Sequence, residues 1–227
     1  MLKNRMSKVA CIYCGKMVRL KSKGDHIPPK SFFKNTDRKK LISVPSCQKC
    51  NNEGSVYDCY LKERLSLRMG NVGAEYALSK TISSILGDSK KQKDILSNLG
   101  KDVYLFSTSN LFVGKGIEYF VDFEKAKIAL NRYVQALCYY EFDRIFDKKT
   151  TIRCYPLLDK ISNQYSIKLK EYVRACKKRN IKDVFKYGFL TFNEGLNSFW
   201  ILEFYQKSSF IFLLNKLKKQ KEQQTGR

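Results

Sequence analysis

Two Cys-x-x-Cys pairs constrain this chain more than any other feature of its sequence. They are Cys11 with Cys14 and Cys47 with Cys50. Pairs at this separation bring four thiolates around one tetrahedral Zn²⁺, and a disulfide framework is the alternative. The segment Met1–Ala10 carries charges and lacks the apolar stretch of a secretory signal, which favours structural zinc over disulfides.

The other cysteines do not form a metal-ligand pattern. Cys59, Cys138, Cys154 and Cys176 lie at irregular spacings within apolar or helical segments. A free thiol in such a place behaves as a small hydrophobic group, so we interpret these residues as reduced core cysteines. Reduced cysteines without a secretory signal predict a cytoplasmic protein.

The charge of the chain indicates a polyanionic partner. The 227 residues contain 44 Lys and Arg against 21 Asp and Glu, which gives a net charge of +23. This excess exceeds what solubility requires and favours nucleic acid as the partner. Because no stretch reaches the roughly eighteen apolar residues of a membrane span, we expect no membrane partner.

The length of the chain and the positions of its prolines suggest a small module followed by a larger domain. Residues 9–60 contain Pro28, Pro29 and Pro45 and are too few for an apolar core, so metal binding must replace core burial there. We predict a zinc-stabilised module over residues 1–60 and an α+β domain for substrate positioning or dimerisation over 61–215. Residues 216–227 are predicted to be a basic, disordered tail.

Hydrophobic periodicity predicts an α+β fold with helices and antiparallel strands. The predicted extended segments are Val9–Leu20, Leu41–Val44, Val103–Phe106, Ile117–Phe123, Val184–Phe192, Ser198–Tyr205 and Phe210–Leu214. One helix is predicted after Cys50, and another over Tyr60–Leu86 with a break near Gly70 and Gly73. Three more helices are predicted over Lys90–Leu99, Glu124–Phe146 and Ile167–Lys178. The apolar hairpin Val184–Tyr205 is expected to be an exposed sheet edge, which favours a homodimer or another protein partner through residues 61–215.

Three separated sequence elements in residues 11–60 resemble the HNH endonuclease superfamily, whose active site is a ββα-metal finger. They are Cys11-x-x-Cys14-Gly15, Asp25-His26-Ile27-Pro28-Pro29-Lys30 and Val44-Pro45-Ser46-Cys47-x-x-Cys50-Asn51-Asn52. The resemblance implies a metal-dependent DNA endonuclease that leaves 5′-phosphate and 3′-hydroxyl ends. It implies that His26 activates water, and that Asp25 and Asn51 bind the catalytic metal. A setting in bacterial or phage defence, or in mobile elements, follows from the resemblance alone.

The chemistry of these residue types agrees with those roles. His26 is the only histidine, and a neutral imidazole can accept a proton from water near neutral pH. Carboxylate and amide oxygens suit Mg²⁺ or Mn²⁺, which fits Asp25 and Asn51. The alternatives are a structural, zinc-binding role for His26 and a turn-forming role for Asp25.

A helix starting near Asn51 would place Asp58 on the same face as Asn51 and Ser55. Asp58 is therefore a candidate for an additional metal ligand or for a side chain that braces the site, and the alternative is a solvated carboxylate. The Lys-rich segments Lys16–Lys23 and Lys34–Lys40 flank the Asp-His pair and are predicted to contact phosphates.

The chain departs from the family pattern at two positions. Asn51 stands where many HNH proteins have a final His, and Ile42 stands where the middle Asn is expected. Asn35 is the candidate to replace that middle Asn. These departures keep two further hypotheses open: a zinc-stapled nucleic-acid-binding protein without catalysis, and an RNA nuclease.

Overall fold

The fold is α+β, as the sequence predicts. The structure is a computed structural model that describes residues 8–19, 24–68, 71–106, 109–146, 150–157, 163–192 and 197–216. These residues form five α-helices and four antiparallel sheets. The break predicted near Gly70 and Gly73 is confirmed, because one helix ends at Leu67 and the next begins at Glu75. Gly70 itself, residues 20–23 of the predicted phosphate-contacting segment, the connection 193–195 and the predicted tail beyond Lys216 lie outside the described residues.

The helices begin and end at clear sequence signals. They are α1 (Gln48–Leu67), α2 (Glu75–Leu86), α3 (Ser89–Ser97), α4 (Phe123–Phe142) and α5 (Asn163–Ala175). The Asp122 side chain caps α4 by accepting a hydrogen bond from the Lys125 amide, and Asp88 caps α3 in the same way. Such caps satisfy amide groups that have no partner within the helix.

The strands form three small hairpins and one larger sheet. The hairpins pair β1 (Lys8–Ala10) with β2 (Met17–Arg19), β3 (Asp25–Ile27) with β4 (Ile42–Val44), and β5 (Leu99–Phe106) with β6 (Phe112–Tyr119). The larger sheet has the order β7-β11-β10-β9-β8, with β7 (Thr150–Leu157), β8 (Lys177–Ile181), β9 (Phe185–Phe192), β10 (Asn197–Phe204) and β11 (Ser208–Lys216). Hairpin β3–β4 is followed directly by α1, which gives the N-terminal region a ββα arrangement.

The N-terminal region shares one hydrophobic core with the rest of the chain. Phe32, in the connection between β3 and β4, is fully buried. Its ring lies 5.8 Å from the ring of Phe204 on β10 and 6.5 Å from the ring of Tyr133 on α4. Apolar burial against α4 and the large sheet therefore supplements metal binding in this region, in contrast to the expectation that metal would replace a core.

The sequence patterns missed two edge strands and misplaced one hairpin. Strand β8 reads Lys-Lys-Arg-Asn-Ile and β7 contains Pro156, features that are tolerated at sheet edges but hide apolar alternation. Because β8 pairs with β9 and β11 pairs with β10, the β9–β10 hairpin lies inside the sheet. The prediction that this hairpin is an exposed edge is wrong, and the dimer hypothesis loses that argument.

Several helix boundaries also differ from the predictions. Helix α4 ends at Phe142, before the predicted Phe146, and α5 begins at Asn163, before the predicted Ile167. Phe123, assigned to a strand from its sequence, begins α4, and the helix predicted to end at Lys178 ends at Ala175 because β8 begins at Lys177. No helix among the described residues is long and apolar enough to cross a membrane.

Candidate functional site

The four cysteines of the two pairs converge on one point. The Sγ atoms of Cys11, Cys14, Cys47 and Cys50 all lie within 4.8 Å of one another, and 3.7 Å separates the Sγ atoms of Cys14 and Cys47. A tetrahedron with metal–sulfur bonds of about 2.3 Å has sulfur–sulfur edges of about 3.8 Å. The spacing therefore fits a zinc ion and is too long for a disulfide.

Local backbone turns build this cluster. The amide of Gly15 donates to the carbonyl of Cys11 and the amide of Cys11 donates to Lys16, which closes a tight turn with Gly15 at φ +76°. Cys47 caps α1, where its Sγ accepts a hydrogen bond from the Cys50 amide at 3.4 Å. Backbone amides at the start of a helix favour the thiolate over the thiol. The thiolate is the form that binds metal.

The electrostatics of the cluster also favour a cation. Burial alone would raise the pKa of the Cys11 thiol, but backbone hydrogen bonds from Cys47, Cys14 and Tyr13 lower it to about 7. Burial and the neighbouring thiols raise the pKa of Cys50 well above its usual range. Four thiolates this close repel one another, and one Zn²⁺ would neutralise that repulsion.

The cysteine cluster stands alone among the described residues as a group of three or more His, Cys, Asp or Glu side chains close enough to share a metal. His26 does not belong to it. The alternative that His26 serves as a structural zinc ligand therefore receives no support from the geometry, and the cluster is a candidate structural zinc site made of cysteines.

Asp25 lies on β3 opposite Val44 and is buried. Its Oδ2 accepts a hydrogen bond from the Tyr13 hydroxyl at 2.8 Å and forms an ion pair with Nη2 of Arg132 at 2.9 Å. Arg132 comes from α4, far outside the motif-bearing segment. Asp25 is thus a strand residue in a polar network, not a turn-former.

The Arg132 guanidinium packs against Tyr13 and Gly54. The guanidinium lies 3.9 Å from the centre of the Tyr13 ring, a cation–π arrangement. Gly54 of α1 also lies against the guanidinium, and a Cβ added at Gly54 would clash with it. A glycine inside a helix costs about 1 kcal/mol relative to alanine, and here it creates room for Arg132 beside Asp25.

We expect Gly54→Ala to destabilise the protein by about 1–3 kcal/mol, because overpacking against Arg132 outweighs the better helix propensity of alanine. Chemical denaturation of the zinc-loaded protein measures this change. In an Arg132→Ala background the sign should reverse, with the same substitution stabilising by about 1 kcal/mol. If Gly54→Ala has the same effect in both backgrounds, Arg132 does not occupy this space.

His26 lies on β3 opposite Ser43 and is half-buried. Burial lowers the pKa of the imidazole, and the charge of the exposed Lys30 lowers it further, while the carbonyl of Ile42 and the charge of Asp25 oppose this change. The buried Nδ1 has no well-formed hydrogen bond. A lowered pKa keeps the ring neutral near pH 7, which is the state that a general base requires.

Ile42 stands on β4 opposite Ile27 and is buried in the core. Its side chain cannot act as the missing Asn would, but its backbone carbonyl lies near enough to His26 to influence the imidazole. Asn35, the candidate replacement, is exposed in a short 3-10 turn, Asn35–Asp37, and no hydrogen bond from its side chain to His26 is present.

Asn51 and Asp58 lie on α1, as the sequence predicts. Asn51 is half-buried in the first turn of α1. Its backbone N–H donates a hydrogen bond to the Cys47 carbonyl. Asp58 is only 5% exposed, so the alternative of a solvated carboxylate is wrong. Burial raises the pKa of Asp58 to about 7; the nearby Tyr133 hydroxyl and Arg132 lower it, and the charge of Asp25 raises it. Asp58 Oδ1 and the Tyr133 hydroxyl are buried without a well-formed hydrogen bond.

Asp58→Asn should stabilise the protein more at pH 8 than at pH 5. The pKa of Asp58 rises from 3.8 to about 7 on folding, so the cost of burying its charge is absent at low pH and grows as the pH approaches 7. About two units of this shift lie between pH 5 and pH 7, so at about 1.4 kcal/mol per pKa unit the gain should be roughly 2–3 kcal/mol larger at pH 8 than at pH 5. Melting temperatures at the two pH values measure it, with the exposed Asp102→Asn as control. An equal gain for Asp58→Asn at both pH values would show that Asp58 is ionised throughout.

Sequence reasoning missed the residues that surround Asp25. Tyr13, Arg132 and Tyr133 were not identified as site residues, and the only sequence signal was the glycine at position 54 within a helix. Comparisons with protein-family models, curated proteins and solved structures gave no match. The functional interpretation therefore rests on the residues and their arrangement.

Proposed function

We propose that this chain is a metal-dependent endonuclease of the HNH type that hydrolyses phosphodiester bonds in DNA. One observation carries this proposal: hairpin β3–β4 and helix α1 form a ββα unit that carries Asp25 and His26 on its first strand. The second strand of this unit ends at Val44, three residues before Cys47, and its helix carries Asn51. These are the positions at which the family resemblance puts the reacting groups.

His26 is proposed to accept a proton from the attacking water. Its lowered pKa keeps the imidazole neutral at physiological pH, and its half-buried position leaves part of the ring accessible. The exposed Lys30, Lys34, Lys39 and Lys40 follow it in sequence, and such side chains contact phosphates on either side of a scissile bond. The +23 net charge adds a general attraction for a polyanion.

Asp25 and Asn51 are proposed to hold a catalytic Mg²⁺ or Mn²⁺, with Asp58 as a further candidate ligand or brace. Their oxygen atoms are the hard donors that these ions prefer, and the buried Oδ1 of Asp58 lacks a hydrogen-bond partner. When bound, such an ion relieves charge on the phosphate and on the departing 3′ oxygen. Arg132 holds Asp25 in its place by the 2.9 Å ion pair.

Lys30→Gln should move the acid limb of the pH–rate profile to higher pH. The rate falls when His26 becomes protonated, and the Lys30 charge lowers the pKa of His26, so removing that charge raises the pH at which activity is lost. The midpoint of the limb under saturating DNA is the readout, since it is insensitive to weaker binding. Lys34→Gln, which removes an exposed lysine four residues further along, is the matched control. An unmoved midpoint in Lys30→Gln would contradict His26 as the titrating base.

Two other functions keep specific support. The same residues could act on RNA, because neither the metal nor the base selects the sugar. Ile42 at the middle-Asn position supports a zinc-stapled nucleic-acid-binding protein without catalysis. The homodimer, the defence setting and the cytoplasmic location remain predictions.

Incubation of the zinc-loaded protein with duplex DNA, single-stranded DNA and RNA, under Mg²⁺, Mn²⁺ or EDTA, tests the proposal. We expect metal-dependent cleavage of duplex DNA that EDTA abolishes. Cleavage of RNA alone would favour the ribonuclease. Tight, salt-sensitive binding without cleavage under either metal would favour the binding protein.

A further inference from the structure

A second concave site lies along the C-terminal part of α1, whereas the cysteines lie at its start. It is a cavity of ≈ 600 Å³ enclosed by α1, hairpin β5–β6, the start of α4 and the strands β7 and β11. Most of its lining is aliphatic or aromatic, including Leu61, Leu65, Val103, Leu105 and Phe210. Its volume and its apolar walls are those of sites that bind small organic molecules.

Arg64 is a buried cation in the wall of this cavity. Its side chain is 3% exposed, and its Nη2 pairs with Asp94 of α3. The guanidinium lies 4.6 Å from the centre of the Tyr60 ring and 4.9 Å from the centre of the Tyr119 ring. Its Nε and Nη1, and the Tyr119 hydroxyl, are buried without a hydrogen-bond partner.

The charges of the wall match an anion. Arg64 and Arg68 both line the cavity, and Arg68 donates to the Ser208 hydroxyl at 3.2 Å. None of the residues that line the cavity in the described part of the chain is Asp or Glu. Asp94 offsets part of the Arg64 charge but does not line the cavity.

We propose that this cavity binds a small organic anion with an apolar body, such as an aliphatic carboxylate. The acid group would accept hydrogen bonds from Nε or Nη1 of Arg64 and from the Tyr119 hydroxyl, which are buried without a partner, while Nη2 of Arg64 stays paired with Asp94. The apolar body would contact the aliphatic wall and remove it from water. This site is independent of the proposed nuclease site, because none of the residues proposed for that site lines it.

Decanoate and decanol are the matched probes, because they share an apolar chain and differ in the acid group. Calorimetric titration of the full-length, zinc-loaded protein should show saturable binding of decanoate. A hydrogen bond to a charged donor corresponds to roughly a 10- to 100-fold preference over decanol. Equal affinity for the two probes would overturn the anion preference, and no saturable binding of decanoate would overturn the site.

Two cavity variants and one control locate the binding. Arg64→Met keeps a long, unbranched side chain but removes the positive charge, so it should abolish the preference for decanoate over decanol. Ile117→Trp, at a half-exposed position in the wall, should block binding of both probes. Asp94→Asn removes the partner of Arg64 and keeps the guanidinium, so decanoate should bind at least as tightly as to the unmodified protein.

The wild-type comparison and Ile117→Trp keep the proposal testable if Arg64→Met does not fold, as monitored by circular dichroism. Unchanged decanoate binding in folded Ile117→Trp would place the ligand elsewhere and overturn the proposal. Because these readouts involve no nucleic acid, their failure is distinct from failure of the nuclease proposal.

Discussion

Cys47→Ala is expected to release zinc and unfold the N-terminal region. Cys47 supplies one of the four converging sulfur atoms and also caps α1 through the Cys50 amide. Binding of structural zinc contributes folding free energy on the order of 10 kcal/mol, which is comparable to the whole stability of a typical domain. Metal analysis and hydrogen exchange over residues 8–60 provide the readouts.

Cys59→Ala is the matched control for this prediction. Cys59 lies on α1 like Cys50, but it is exposed and outside the cluster, so the prediction that it is a core cysteine is wrong. Its variant should therefore keep zinc and fold. The unmodified protein should contain about one zinc per chain. Retention of that zinc and of normal exchange protection in Cys47→Ala would show that the four sulfurs do not form the site.

His26→Ala is expected to lower DNA cleavage by roughly 10²–10⁴-fold, the usual cost of losing a general base. The chain contains no other histidine, so no second imidazole can replace it. Zinc content, thermal stability and DNA affinity should stay near those of the unmodified protein, because His26 is outside the cysteine cluster. Single-turnover cleavage at saturating DNA isolates the chemical step.

The control for His26→Ala is Thr36→Ala, an exposed residue in the connection between β3 and β4. It should cleave like the unmodified protein. A wild-type rate for His26→Ala in a preparation free of contaminating nuclease would remove the catalytic role of His26. A comparable loss in Thr36→Ala would indicate that the connection as a whole is damaged.

The cysteine cluster could be predicted because its determinants are local. Each Cys-x-x-Cys pair makes its own turn, and the spacing of the pairs leaves room for one hairpin between them. Helix α1 could be predicted in part for the same reason, since helical apolar spacing is visible in a short window. The sequence predicts one helix after Cys50 and another over Tyr60–Leu86, whereas the structure has one continuous helix that begins at Gln48 and ends at Leu67.

The surroundings of Asp25 could not be predicted from any local pattern. Arg132 is 107 residues away in sequence and lies on a helix whose apolar stripe determines its packing. Only the packing of α4 against α1 and β3 brings that guanidinium into contact with Tyr13 and Gly54. An arginine in an amphipathic helix is normally read as a solvated surface residue.

The burial of individual side chains could not be predicted from the sequence either. Asp58 was identified by its helical spacing from Asn51, but spacing cannot show that it would be buried beside Tyr133 with a raised pKa. Strand β8 was missed for the opposite reason, because its four consecutive polar residues give no apolar alternation even though the strand pairs along its whole length with β9.

The most direct test of the nuclease account is the chemistry of the DNA ends made by the zinc-loaded protein with Mn²⁺, compared with His26→Ala. The account predicts cuts carrying 5′-phosphate and 3′-hydroxyl ends, abolished by EDTA and reduced roughly 10²–10⁴-fold in His26→Ala. Cuts with other ends, equal cutting by both proteins, or no cutting by the unmodified protein would contradict it.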